Sequence, residues 1–208
     1  STFGGSYSTY SGDHFGEIIW AQYASDSQIR DRYYNGNGTK TDLSFFVKGT
    51  YRVSDKISLF ADLQTRHVSY KTTGTNSDVI EFLVDKNFNF FNPKAGITYK
   101  LNSNNSLYFS YARANREPNR DDFENNANIK PEQLNDFELG WRHSSNTFRF
   151  NTNLYYMLYN EQLVLTGALD DVGSPLRDNS GDSYRLGLEV EAAIQISNKF
   201  AIQPNFTV

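Results

Sequence analysis

The run Arg116-Glu117-Pro118-Asn119-Arg120-Asp121-Asp122 places two guanidinium groups among three carboxylates. A guanidinium offers paired N–H donors in a fixed fork, so Arg116 and Arg120 could grip a carboxylate or the anionic oxygens of a ferric chelate. The plainer use of such a run is a salt-bridged loop base between neighbouring hairpins. Arg32, Tyr33 and Tyr34 form a second cationic and aromatic group, for which packing within a loop is the plain reading.

Other candidate chemistry is thinner. Asp178-Asn179-Ser180-Gly181-Asp182-Ser183 resembles the start of a calcium loop, but the residue that aligns with the closing bidentate Glu, Glu189, lies in a strand pattern. A solvated polar loop explains it better. Glu189 and Glu191 are two apart and could be taken for a catalytic carboxylate pair, yet a polar wall facing Arg142 or Arg149 accounts for both. His14, His67 and His143 are scattered with no Cys and no second His one helical turn away, so no metal site follows. No Ser stands on a strand-to-helix elbow. These residues imply no enzyme and no cofactor.

The elements that carry these groups alternate in polarity. Between Asp42 and Val53, Leu43, Phe45, Val47, Gly49, Tyr51 and Val53 point one way, while Asp42, Lys48, Thr50 and Arg52 point the other. The pattern resumes in Ile57, Leu59, Ala61 and Leu63, in Ala95, Ile97, Tyr99 and Leu101, in Leu107, Phe109 and Tyr111, and in Phe137, Leu139 and Trp141. It continues from Phe148 to Leu158, from Leu186 to Ile196 and from Phe200 to Val208. No position on these apolar faces is charged. The opposite faces carry Lys48, Arg52, Asp62, Lys94, Lys100, Glu138, Arg142, Arg149, Glu189 and Glu191, a load that a dry sandwich core holds only at heavy desolvation cost. One face suits lipid and the other water.

Mean hydropathy of -0.62 and a net charge of -4 are those of many soluble chains, because a barrel strand needs apolar residues only at every second position. No apolar run approaches the roughly 20 residues of a membrane helix. Aromatic residues make up 15% of the chain, which suits ring belts at both bilayer interfaces, with Tyr51, Tyr99 and Trp141 near short turns. The absence of Cys removes disulfides and thiol chemistry. The acidic balance, without a basic stripe, excludes nucleic acid as a partner.

Connections alternate between short (54–56, 102–106, 142–147, 197–199) and long (64–94, 112–136, 159–185), so short turns face the periplasm and long loops the exterior. Residues 1–41 read as an outer loop with its own strand extension, in which Glu17–Tyr23 is strand-like and Tyr34–Thr39 a turn; 42–208 reads as four β-hairpins. The expected fold is all-β, an antiparallel up-and-down transmembrane barrel. No signal peptide opens the chain and alternation runs to Val208, so an internal piece of a wider barrel is expected, since an open edge in lipid is costly.

Two stretches carry a family resemblance: Gly12-Asp13-His14-Phe15-Gly16-Glu17-Ile18-Ile19-Trp20-Ala21 and Ser110-Tyr111-Ala112-Arg113-Ala114-Asn115-Arg116-Glu117-Pro118-Asn119-Arg120-Asp121-Asp122-Phe123. With Ile129-Lys130-Pro131-Glu132 leading into Phe137-Glu138-Leu139-Gly140-Trp141, they resemble barrel segments of TonB-dependent outer-membrane receptors, particularly those of Bacteroidetes. The resemblance spans essentially the whole chain. It implies part of a 22-stranded barrel of the plugged transporter type in a Gram-negative outer membrane, with an extracellular ligand, most simply a ferric siderophore, imported with energy from TonB. The plug through which TonB acts is not in this chain. The resemblance also implies that Arg32, Tyr33 and Tyr34 line an outer pocket. The alternatives are a passive porin-like channel and a lipocalin-like carrier, the latter disfavoured by the lumen charges.

Overall fold

The computed structural model describes residues 1–23, 26–75, 79–169, 173 and 175–208. Its strands are β1 (Thr2–Glu17), β2 (Arg32–Arg52), β3 (Ile57–Thr75), β4 (Glu81–Lys100), β5 (Asn105–Arg116), β6 (Glu132–Ser144), β7 (Phe148–Asn160), β8 (Leu163–Leu169), β9 (Pro175–Asn179), β10 (Ser183–Ser197), β11 (Phe200–Ile202) and β12 (Asn205–Thr207), with one helix, α1 (Arg120–Asn125). The main sheet runs β1-β2-β3-β4-β5-β6-β7-β10-β11, with β12 also on β10, while β8 and β9 pair apart as a hairpin. Every pairing is antiparallel. Neighbours in the sheet are neighbours in the chain, except where the β8–β9 hairpin is looped out between β7 and β10.

Short turns join the strands at one end as the polar clusters require. The Ser54 hydroxyl accepts from the backbone of Lys56 and Ile57, and the Asn102 carbonyl from Asn104 and Asn105, each side chain closing its turn by a local hydrogen bond. Register then sorts the side chains. Tyr51, Leu59, Ile97, Phe109, Leu139, Leu154 and Leu188 lie opposite one another in a continuous row across β2 to β10. The next row, on the other face, is Arg52, Ser58, Thr98, Tyr108, Gly140, Asn153 and Glu189. A one-residue slip in any strand would exchange the two faces, so the single phase assigned from the sequence holds across the sheet.

The expectation of a loop over 1–41 is corrected. β1 pairs along its whole length with β2, so Thr2–Glu17 is wall, and the chain leaves the strand at Glu17 where a strand over 17–23 was expected. Tyr34–Thr39 is β2 backbone, not a turn. Gly74 explains how the tips stay paired: its φ is +123°, and a Cβ there would overlap the Asn35 carbonyl, so the glycine lets β3 close on β2.

The long connections also contract, because strands run on past the lipid band. On β3 the outward face changes from Leu59, Ala61 and Leu63 to Thr65, His67, Ser69 and Lys71, while the inward face changes from Asp62, Gln64 and Arg66 to Val68 and Tyr70. Alternation persists but its polarity inverts, so a pattern search for an apolar outer face ends at Leu63. The last of the four expected hairpins differs too, since its return strand is split into β11 and β12 around Gln203 and Pro204. The core sits at the outer end, where Val84, Phe123, Ile129 and Leu163 are buried together against Tyr70, Phe82 and Phe88.

Candidate functional site

The loop after β5 folds over the inward face of the wall at its outer end. Pro118 precedes Asn119, which caps α1: its side chain accepts from the Asp122 backbone N–H at 2.8 Å, and the Asp122 carboxylate accepts from the Asn119 N–H at 2.8 Å. So short a helix is unstable alone; side-chain anchors hold it. Phe123 stacks on Tyr70 at 6.1 Å between ring centroids and meets Phe88 at 6.5 Å. Asp122, 3% exposed, takes a guanidinium from Arg177 of β9 at 3.2 Å.

The β8–β9 hairpin is tied to the same loop. Asn179 accepts from the Lys130 N–H at 2.8 Å and donates to the Lys130 and Glu161 carbonyls at 3.1 and 2.8 Å. Asn126 donates to Asp178 at 3.1 Å. Loop 117–131 and the hairpin therefore form one packed unit at the mouth.

Behind this unit lies an ion network on the inward face. Arg66 donates to Asp42 at 2.5 and 2.9 Å and to both Glu117 oxygens at 2.7 and 2.8 Å, and Lys40 donates to Glu117 at 2.8 Å. Burial by itself would push the Glu117 carboxyl up, but hydrogen bonds from Arg66 and Lys40 outweigh it and hold it down at about 2. Glu117 is thus a fixed anion that ties the loop to β2 and β3.

The residues singled out in the sequence fall into different roles. Arg120 is engaged: its Nε donates to Glu124 at 2.5 Å, Nη1 to Thr72 at 3.3 Å, and its guanidinium lies 4.7 Å from the Phe82 ring. It pins α1 to β3 and β4. Arg116 is half exposed, 3.6 Å from Glu132 and 3.4 Å from the Leu163 carbonyl. Arg32 lies 3.9 Å from the Phe15 ring and 3.6 Å from Glu17. Tyr33 and Tyr34 meet edge to face at 5.1 Å.

Lys40, Asp42, Arg66 and Arg177 were not singled out. Their signal was charge at strand positions beyond the apolar band, visible only once the ends of that band are known. In the stretch that resembles a calcium loop, Asp178 accepts from Asn126 and Asp182 from Asn160, and among the described residues no three His, Cys, Asp or Glu side chains gather as a metal site would require. Glu189 and Glu191 face Asn153 and Asn151 across the inward wall. Arg142 lies 4.1 Å from the Tyr108 ring. At the mouth, Arg32 and Arg116 stand partly exposed, Arg32 beside the Phe15 ring.

The family model for the TonB dependent receptor-like β-barrel matches residues 1–207. The chain belongs to this family. It is part of an outer-membrane β-barrel of the TonB dependent receptor-like kind. Solved structures share the fold at low identity. The copper transporter OprC is 13% identical with a TM-score of 0.69, over 99% of this chain and 35% of that one. The open form of the ferric-catecholate import receptor Fiu from E. coli K12 is 14% identical with a TM-score of 0.68, over 99% and 32%. The ferric yersiniabactin uptake receptor FyuA from Yersinia pestis is 16% identical with a TM-score of 0.66, over 99% and 31%. The chain thus spans about a third of the length of these receptors.

Proposed function

We propose that the chain is part of the barrel wall of a TonB-dependent receptor, of the kind found in Bacteroidetes, that imports a ferric siderophore. The family match over 1–207 carries this reading. Among the described residues the sheet has two unpaired edges, β1 on one side and β11 with β12 on the other. Each unpaired backbone group in lipid costs several kcal/mol, so these edges pair with further strands of a 22-stranded barrel, of the size class that holds a plug. TonB acts through that separate plug domain. Iron is favoured over other cargo because the Fiu and FyuA receptors are named for ferric chelates; the copper transporter OprC marks the rival cargo.

Ligand enters at the mouth. Arg32, Tyr33, Tyr34 and Arg116 contact it, and Arg120 positions α1 beside Arg116. Half-exposed guanidinium groups and rings suit an anionic, aromatic chelate.

The test is uptake by the full-length protein in a Gram-negative host lacking its own siderophore receptors, offered radiolabelled ferric catecholate. Uptake should require TonB and fall when the proton-motive force is collapsed. Uptake indifferent to TonB would make the barrel a passive pore, and transport of copper without iron would overturn the cargo.

A further inference from the structure

Charge on the inward face is sided. Among the described residues below the Arg66 network, β2 to β4 present Lys48, Arg52, Lys94 and Lys100 inward against a single carboxylate, Asp62. On β6 to β10 the inward set is Asp136, Glu138, Glu189 and Glu191 with Arg142, Arg149 and Arg185. Two of those arginines are laid on rings, Arg142 4.1 Å from Tyr108 and Arg185 5.0 Å from Tyr159. One side of the lumen is basic and the other acidic.

The cations on β2 to β4 are not spent on structure. Register sets Asp62 directly opposite Lys48 on one side and Lys94 on the other, the arrangement in which cross-strand opposite-charge pairs form. Yet among the described residues none of Lys48, Arg52, Lys94 and Lys100 is in an ion pair. Higher on the same wall, Lys40 and Arg66 are neutralised by Glu117 and Asp42. The wall keeps its cations unpaired where no loop covers it.

An aromatic ring stands among these charges. Phe60 lies between Thr50 and Gly96 in the register, so no bulky side chain flanks it across the strands, and it is 39% exposed. With strands about 4.8 Å apart, Lys48 and Lys94 are roughly 10 Å from one another, and Phe60 is one inward position toward the periplasm. Arg52 and Lys100 carry the basic surface on toward the periplasmic rim, about 13 and 20 Å along their strands. A cleft lined by one sign of charge concentrates ions of the other sign, and Lys and Arg side chains select anions in pores. The exposed ring narrows the occupant to an anion with aromatic faces, which cation and ring can grip together. Carboxylates on β6 to β10 turn such a ligand toward β2 to β4.

We infer that the inward wall of β2 to β4 is a second contact surface for the imported ligand, an aromatic polyanion of the ferric catecholate class. Lys48, Lys94 and Phe60 receive it below the mouth, and Arg52 and Lys100 draw it to the periplasmic rim. The inference rests on the reading of the receptor as an importer of an anionic chelate.

The test uses the full-length receptor in a Gram-negative host lacking its own siderophore receptors, with radiolabelled ferric catecholate. Affinity is read in cells without TonB, and the maximal uptake rate per bound receptor in cells with it. Lys48→Gln with Lys94→Gln should lower that rate several-fold while the affinity at the mouth holds. Lys48→Arg with Lys94→Arg should restore most of the rate, and Phe60→Ala should lower it more than Phe60→Tyr. A rate indifferent to loss of the two charges overturns the inference, and so does one that falls equally with arginine in place. Variants that admit a large antibiotic without TonB would mean that the lysines seat the plug, which also overturns it. If the wild-type receptor itself imports no ferric catecholate, the reading of its cargo falls first and the inference with it.

Discussion

Arg66 and Glu117, 51 positions apart, form a two-point ion pair, Nη1 to Oε2 at 2.7 Å and Nη2 to Oε1 at 2.8 Å. The pair fixes the loop after β5 to the strand that rises two places away in the sheet. Lys40 and Asp42 complete the network from β2. Glu117→Gln should loosen loop 117–131 by about 1–3 kcal/mol, since it leaves Arg66 and Lys40 short of a charged acceptor. Hydrogen exchange of the 117–131 amides in the full-length barrel measures this, with β6 and β7 as the unmoved reference.

Acid should release the same loop. The Glu117 carboxyl goes from 4.5 in its ordinary state to about 2 in the fold. Because the folded value is the lower one, its contribution to stability is full above about pH 4.5 and is lost as the pH falls toward 2. Exchange in 117–131 should therefore rise below about pH 4 in the native receptor. The Glu117→Gln variant should lack that component.

Phe123→Ala removes the ring that joins α1 to Tyr70 and Phe88. Loss of a buried aromatic typically costs about 3–5 kcal/mol, more than a six-residue helix retains. Proteolysis should then cut within 120–129 while the barrel stays folded on an unheated gel. An intact loop would show that the apolar cluster is not what docks α1.

Arg116 and Arg120 should separate in a binding assay. Arg116→Ala should weaken binding of a ferric chelate and leave exchange of α1 unchanged, because its contacts at 3.4 and 3.6 Å are loose. Arg120→Ala should raise exchange in α1 first, because it removes the contacts to Glu124, Thr72 and Phe82.

The two faces of β7 should respond oppositely to charge. Leu154 lies between Leu139 and Leu188 on the outward face, and Asn153 between Gly140 and Glu189 on the inward one. Leu154→Arg should cost about 2–4 kcal/mol in a folding titration of the whole barrel, and Asn153→Arg little. Equal effects would mean that the two faces of β7 do not part lipid from water, and a larger cost at Asn153 that they are reversed.

Gly140 tests the wall differently. A Cβ there would overlap the Tyr108 ring and lie 2.5 Å from the Thr152 carbonyl. Gly140→Ala should destabilise the barrel by about 1–3 kcal/mol. Adding Tyr108→Ala should recover part of this in the same titration, because the ring can be removed and the carbonyl cannot.

What the sequence by itself determined is the membrane-spanning part of the wall. Within the lipid band each residue faces one of two solvents, so the period of two in Leu43 to Val53 or Phe148 to Leu158 states both conformation and phase, and Ser54 or Asn102 marks the turn. Beyond the band that signal ends. Past Thr65 on β3 the outside becomes water and the inside becomes protein, so the later part of β1, the start of β2 and the upper halves of β3 and β4 look like polar loop although they are paired strand. Only the tertiary structure decided the mouth. Lys40 and Arg66 carry no local pattern, Asp42 and Glu117 were legible only as charges in their own segments, and the meeting of all four depends on which strands are neighbours and how far a loop folds inward. Arg120 shows the same limit: its charge was legible, but whether it faced a ligand or held α1 to Thr72 and Phe82 depended on the packing of Phe123 behind it.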